Sequence, residues 1–399
     1  MSDPAPGEVE RVPLAAPALA GNEVAYVTDA VSSGWLSAGS YVGRFEDAVR
    51  AVTGSPYAVA CSSGTAALHI ALLVAGVGSG DLVVCPTLTF AATFNAARYC
   101  GADPVFIGCD DRLGIDASVL GAYLTGECAR DAAGALRERS SGRRIAAVIP
   151  VHVFGTPCDP HVFEVCVEAG VPVIEDAAES LGSSWVTGPL AGRHTGTAGL
   201  AGVLSFNGNK VVTTGGGGMV LTADGALASR VRYLIDQAKD DHVRYVHGAV
   251  GYNYRMPNPL AAIGLAQIEG LGGFIATRRA NFAAYRTLLA GLPGVRLLEP
   301  PADVSSNLWF FPLLVDVAEA GLDREALMAR LDEVGIQSRP LWYPGHLQAP
   351  FAGCRAVGVE RAVWFWERVL CLPCGSGLGP EDVARVVAAV RAAVVGEGG

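Results

Sequence analysis

Charge is scarce in this chain. Only 17% of its 399 residues are Asp, Glu, Lys or Arg, against roughly 25% in an average soluble protein. The remaining balance is acidic, a formal −10, and no basic run is present, so nucleic acid is not expected as a partner. Lysine is scarcer still: of 29 basic residues only Lys210 and Lys239 are lysines. Any lysine-dependent chemistry therefore has two candidate positions. No stretch reaches about 18 apolar residues free of Gly, Pro and charge, so no membrane-spanning helix is expected. The opening residues, Met1 to Glu10, carry neither a basic nor an apolar segment, so no secretory signal is expected. The ten cysteines then read as reduced thiols in the cytoplasm. Cys371 and Cys374 have C-x-x-C spacing, but no second pair completes a zinc set and Val369–Cys374 reads as the end of a buried strand, so no metal is expected. A Walker A motif is missing, as is a Gly-x-Gly-x-x-Gly turn between strand and helix.

What is present suffices for a large core. Hydrophobic residues make up 51% of the chain. The 50 glycines and 23 prolines stay below the roughly 25–30% that marks low complexity. From about residue 57 to 206, short apolar runs alternate with helix-like stretches. Strands are expected over 57–61, 82–85, 105–107, 145–151, 171–174 and 200–206, with helices over 65–73 and 91–99 between them. That order implies βαβ units and a mainly parallel sheet covered on both faces. After Gly218, helices are expected over 227–239, 259–271 and 275–290. The remainder reads strand 308–315, helix 324–334, strand 369–372 and a final helix from about Glu381. The expected division is a large domain over 1–275, including an N-terminal segment 1–25, and a small α+β domain over 276–399.

Three strand ends carry unusual residues. Cys61-Ser62-Ser63-Gly64-Thr65-Ala66-Ala67-Leu68 runs from a strand directly into a helix. Free backbone N–H groups and the positive end of the helix dipole make such a turn an anion site, although an ordinary Ser/Thr cap gives the same letters. Val173-Ile174-Glu175-Asp176-Ala177-Ala178-Glu179 ends an apolar strand in acids, and a carboxylate at that depth needs a cation or several donors. Ser205-Phe206-Asn207-Gly208-Asn209-Lys210 leads through Val-Val-Thr-Thr into four glycines, Gly215 to Gly218. Glycines there allow close backbone approach to a planar ligand or a sharp chain reversal. Lys239, in Ala-Lys-Asp-Asp, reads as a solvated lysine. A phosphate cup, a buried acid and a lone lysine together are what pyridoxal 5′-phosphate needs: an amine to form a Schiff base with its aldehyde, an acid for its pyridine nitrogen, and a helix end for its phosphate.

The chain resembles the DegT/DnrJ/StrS family of sugar aminotransferases over nearly its whole length. The resemblance rests on Ser63–Leu68, Pro150-Val151-His152-Val153-Phe154-Gly155, Glu175–Glu179, Ser205–Lys210, Gly251-Tyr252-Asn253-Tyr254-Arg255-Met256 and Arg339-Pro340-Leu341-Trp342-Tyr343-Pro344-Gly345-His346. It implies fold type I of the pyridoxal phosphate enzymes: an α/β protein with a three-layer αβα large domain and a smaller α+β C-terminal domain. It also implies catalytic roles for Lys210, which would carry the cofactor and shuttle the proton, and for Asp176 at the pyridine nitrogen. Glu179 would bond the ring hydroxyl side, Phe90 would stack on the ring, and Gly64, Thr65 and Ser205 would hold the phosphate. Asn253 would reach the phosphate of a neighbouring subunit, making a homodimer with shared active sites. Arg255, Arg339, Tyr343 and His346 would lie near the sugar-nucleotide substrate, whose amino donor would be L-glutamate. His152 would be structural, and His69 a satisfied core histidine. The Asn-Gly-Asn-Lys and glycine-run patterns resemble the branch that aminates C4 of a 4-keto-6-deoxy sugar nucleotide. Gly34–Gly39 and Gly142–Ile145 resemble the legionaminic-acid-pathway enzymes. The alternatives are a 3-keto sugar aminotransferase, a sugar dehydratase of the same family, which Lys210 argues against because that branch carries histidine there, and a non-enzymatic regulator that keeps the fold.

Overall fold

The computed structural model describes residues 11–241 and 243–396. The opening segment, Met1 to Glu10, lies outside the described residues. The central sheet follows the alternation of β-favouring runs with helices. In spatial order its first half is Tyr57–Cys61, Gly218–Thr222, Ala201–Ser205 and Ile174–Asp176, and its second is Ile145–Val148, Leu82–Pro86, Asp103–Ile107 and Ala356–Val357. Parallel bridges Val148–Val173 and Val151–Asp176 join the two halves. Gly218–Thr222 runs against both its neighbours, and the other pairings are parallel. The expected mainly parallel sheet is thus present, with one reversed strand.

Both faces are covered, as period-two alternation requires. On one face Val59, Val83, Val203 and Val220 pack with Leu68 and Ile70 of helix Gly64–Val74 and with Phe94 and Val231. On the other, Ala60, Leu204 and Leu221 meet Phe45 and Leu265, while Val84, Val105 and Val148 meet Leu120, Val162 and Cys166. A second, antiparallel sheet runs Val295–Leu297, Phe311–Val315, Val369–Leu372, Arg339–Pro340. The first described residues join this second unit: Val12 bridges to Ile336 and Cys374 N–H donates to Leu14 O at 2.7 Å.

Several elements differ from the sequence expectation: the strand expected over 171–174 spans Ile174–Asp176, the strand expected over 145–151 stops at Val148, and the helix expected over 275–290 begins at Leu271. The helix expected over 227–239 spans Gly225–Ile235. Gln237 and Ala238 take positive φ of 64° and 52°, which ends the helix, and Lys239–Asp241 pairs with Val246–His247. The strand expected from Leu308 begins at Phe311, because Leu308 sits at φ 55°, outside the extended region. The glycine run has two separate jobs. Gly215, at φ +77°, turns the chain, and Gly218 lies so close to the Ser63 carbonyl that a Cβ would come within 2.3 Å of its oxygen.

Among the described residues no single helix is long and apolar enough to cross a membrane. All ten cysteines are free thiols, and Cys371 and Cys374 are both buried.

Candidate active site

The carboxyl ends of the parallel strands open into one cavity of about 600 Å³, the position at which such sheets bind ligands. The first wall is the turn from Cys61 into helix Gly64–Val74. Ser63 caps the helix, its hydroxyl accepting from Ala66 N–H at 3.0 Å, and the N–H groups of Gly64 and Thr65 have no acceptor within the helix. Gly64 faces Ser205: a Cβ there would stand 2.9 Å from the Ser205 Cβ. Only glycine lets the two strand ends close into this cup.

The adjacent acids Glu175 and Asp176 point to opposite sides of their strand. Glu175 is fully buried and accepts from the N–H groups of Gly196, Ala198 and Gly199 at 2.6–2.7 Å, with His152 Nε2 at 3.0 Å. Asp176 faces the cavity. The Thr93 hydroxyl donates to its Oδ2 at 2.7 Å and Ala178 N–H to its Oδ1 at 3.2 Å. Burial pushes the Asp176 carboxyl above the usual aspartate value, while the Thr93 and Ala178 donors and the charge of Lys210 pull it back.

Lys210 Nζ stands 3.5 Å from Glu179 Oε1 and 3.6 Å from the centre of the Trp309 ring. Burial drives the lysine below its usual pKa against the pull of Glu179 and Asp176. Burial likewise raises Glu179, against Lys210 and the Phe154 N–H, which donates to Glu179 Oε2 at 2.9 Å. The pair is therefore arranged around an amine that gives up its proton more readily than a solvated lysine does.

Of the twelve residues expected at the site, nine line this cavity: Gly64, Thr65, Phe90, Asp176, Glu179, Ser205, Lys210, Arg339 and Tyr343. Phe90 stands at the mouth, 60% exposed. Asn253, Arg255 and His346 do not line it. Asn253 is exposed and bridges to Asp236. Arg255 ion-pairs with Asp236 at 3.1 Å. His346 lies behind the wall, its Nδ1 2.6 Å from the Thr87 hydroxyl. His152 is buried as a brace between Glu175 and the Cys158 N–H. His69 is buried too, but only half satisfied: Nδ1 lies 3.4 Å from the Tyr254 hydroxyl and Nε2 has no hydrogen-bond partner.

The sequence matches the DegT/DnrJ/EryC1/StrS aminotransferase family over residues 17–391. The chain belongs to that family. It is 36% identical over 392 residues to a GDP-perosamine synthase of Caulobacter vibrioides, covering 97% of this chain and 100% of that protein. It is 37% identical over 385 residues to a Bacillus subtilis protein described as the putative pyridoxal phosphate-dependent aminotransferase EpsN, covering 95% and 94%. Among solved structures, DesI in the presence of its TDP-sugar product superposes with a TM-score of 0.85 at 30% identity, covering 98% of this chain and 95% of that one. The protein is an aminotransferase, and its layered sheet with one reversed strand is that of fold type I.

The residues of this aminotransferase fit pyridoxal phosphate on three counts. The Gly64–Ser205 cup would be filled by a Cβ. Asp176 holds two protein donors, which leaves acceptor capacity toward the cavity. The Lys210 side chain, 12% exposed, opens into the same space. Sequence reasoning missed Thr93 and the opposite wall of Phe154, Trp309, Phe310 and Trp342. Thr93 lies 83 residues from the carboxylate it bonds, and no local pattern announces such a pairing.

Proposed function

We propose that this enzyme uses pyridoxal 5′-phosphate to move an amino group from L-glutamate to the C4 keto group of a 4-keto-6-deoxy sugar nucleotide. The observation that carries the reading is the convergence of Lys210, Asp176 and the Ser63–Thr65 turn on one cavity, in a chain of this family. Its volume lies within the range of small-molecule sites and leaves room for a sugar beside the cofactor. When bound, the cofactor supplies an electron sink and carries the amino group between donor and acceptor. Lys210 holds it and takes and returns a proton at Nζ, a task suited to an amine of lowered pKa. Asp176 would hold the pyridine nitrogen, and Glu179 the ring hydroxyl side beside the Lys210 amine. Gly64, Thr65 and Ser205 would hold the phosphate through helix-end N–H groups and hydroxyls. Phe90 would stack on the ring. Arg339 and Tyr343 would meet the anionic substrate.

Asn253 and Arg255, exposed outside their own cavity, fit the reading that a homodimer shares its sites, with Asn253 reaching the partner's phosphate. The ten free thiols favour a reducing compartment, the cytoplasm. The related perosamine synthase is named for a GDP-sugar and the DesI structure was solved in the presence of its TDP-sugar product, so this reading commits to the sugar chemistry rather than to one base.

A spectroscopic cycle tests it. Purified enzyme should show the visible absorbance of bound cofactor, lose it with L-glutamate and regain it with a 4-keto-6-deoxy sugar nucleotide, releasing an amino sugar detected by mass. A spectrum unmoved by glutamate, or a product aminated elsewhere than C4, overturns the reading.

A further inference from the structure

Trp309 is held more firmly than a core-filling residue needs. Its N–H donates to Phe154 O at 3.1 Å. Its carbonyl accepts from Arg278 Nη1 at 2.8 Å and lies 3.2 Å from Cys374 Sγ. Its indole N–H donates to Asn209 O at 2.7 Å, the carbonyl just before Lys210. Phe310 stacks on it, centroids 4.0 Å apart. Arg278, itself 1% exposed, spends its guanidinium on the carbonyls of Leu308 and Trp309 and on the Ser376 hydroxyl. Among the described residues no carboxylate is paired with it. Two bulky residues beside this anchor, Phe154 and Leu308, hold positive φ of 56° and 55°. Backbone of that kind persists only where its surroundings over-determine it, and it gathers at functional sites.

The product of these constraints is one contact: an indole face with the Lys210 ammonium 3.6 Å from its centre and the Glu179 carboxylate 3.5 Å from the same nitrogen. We propose that Trp309 is a positioning residue that provides a seat for the free Lys210 amine, holding it between the indole face and Glu179 whenever it is not bonded to the cofactor. The ring quadrupole attracts a cation over its face, most strongly for tryptophan and where water is excluded. The anchor through Asn209 ties the seat to the backbone that carries the lysine. The amine thus stays inside the cavity, at a fixed place, while it is free. The inference rests on Lys210 being the reactive amine, but its test does not need turnover.

The scarcity of lysine makes that test clean. Protein labelled with carbon-13 at the lysine ε-carbon gives two side-chain signals, assigned with Lys239→Arg, and Lys239 serves as the internal reference. Cofactor-free wild-type protein should show the Lys210 ε-protons displaced upfield by the indole ring current, with no such displacement at Lys239. Trp309→Leu should abolish the displacement and lower the Lys210 pKa by about one unit, since the face favours the charged form. Trp309→Phe should keep part of both effects. Lys210 ε-protons that match Lys239 in the wild type overturn the proposal without any variant. So does a Trp309→Leu protein, folded by circular dichroism, whose Lys210 shift and pKa are unchanged. Failure of the glutamate cycle with an intact ring-current shift would instead count against the aminotransferase chemistry alone.

Discussion

The strand Ile174–Asp176 presents two adjacent carboxylates to two different environments. Behind it, Glu175 sits in a closed nest of three backbone N–H groups and one imidazole. In front of it, Asp176 has one hydroxyl and one N–H and faces a cavity that also holds Lys210 and Glu179. The rear carboxylate is fully satisfied and braces the chain. The front one is left with capacity for a ligand and is pushed up in pKa by burial. The comparison teaches that acidity and burial alone do not mark a reactive residue. What marks it is incomplete satisfaction on the side where a ligand can enter.

The largest expected effect tests the front face at its lysine. Lys210→Ala should lower kcat by about 10⁴-fold, and borohydride treatment should no longer fix the cofactor to the chain, as read by intact mass. A variant that still turned over at wild-type rate would move the chemistry away from this face. Asp176→Ala comes next. Removing one partner of a buried ion pair costs about 3–5 kcal/mol, which should appear together in the cofactor Kd and in kcat, with little change in the unfolding midpoint. Glu175→Gln should do the reverse. It disturbs several bonds to a buried charge, each worth about 1.5–3 kcal/mol, so the thermal midpoint should fall by roughly 5 °C while kcat stays close to that of the wild type. If Glu175→Gln and Asp176→Ala gave the same pattern, the distinction between the two faces would collapse.

The smallest effect concerns Glu179. Burial raises its carboxyl above the ordinary value of 4.5, with Lys210 opposing. Such a group contributes stability that is full below the unfolded pKa and is lost as pH rises through the folded one. The thermal midpoint of cofactor-free protein should therefore carry a decline as pH climbs above 4.5 toward neutrality. Glu179→Gln should flatten it. An identical slope in the variant would show that Glu179 ionises in the fold much as it does in the unfolded chain.

Sequence alone determined the layered α/β architecture, the strand-to-helix turn at Ser63, the acid-bearing strand end and the lysine, because each is written in contiguous residues whose backbone preferences act locally. The strand Val369–Leu372 and the helix Gly64–Val74 lie almost where their letters place them. Tertiary structure decided which acid faces the cavity, why the glycine run must lie against Ser63, and that Trp309 stands over Lys210. Those outcomes depend on contacts between residues far apart in the chain, Thr93 with Asp176, Asn209 with Trp309 and Ser63 with Gly218, and on bulky residues held at positive φ. Packing can impose such conformations at a cost, whereas local propensity argues against them.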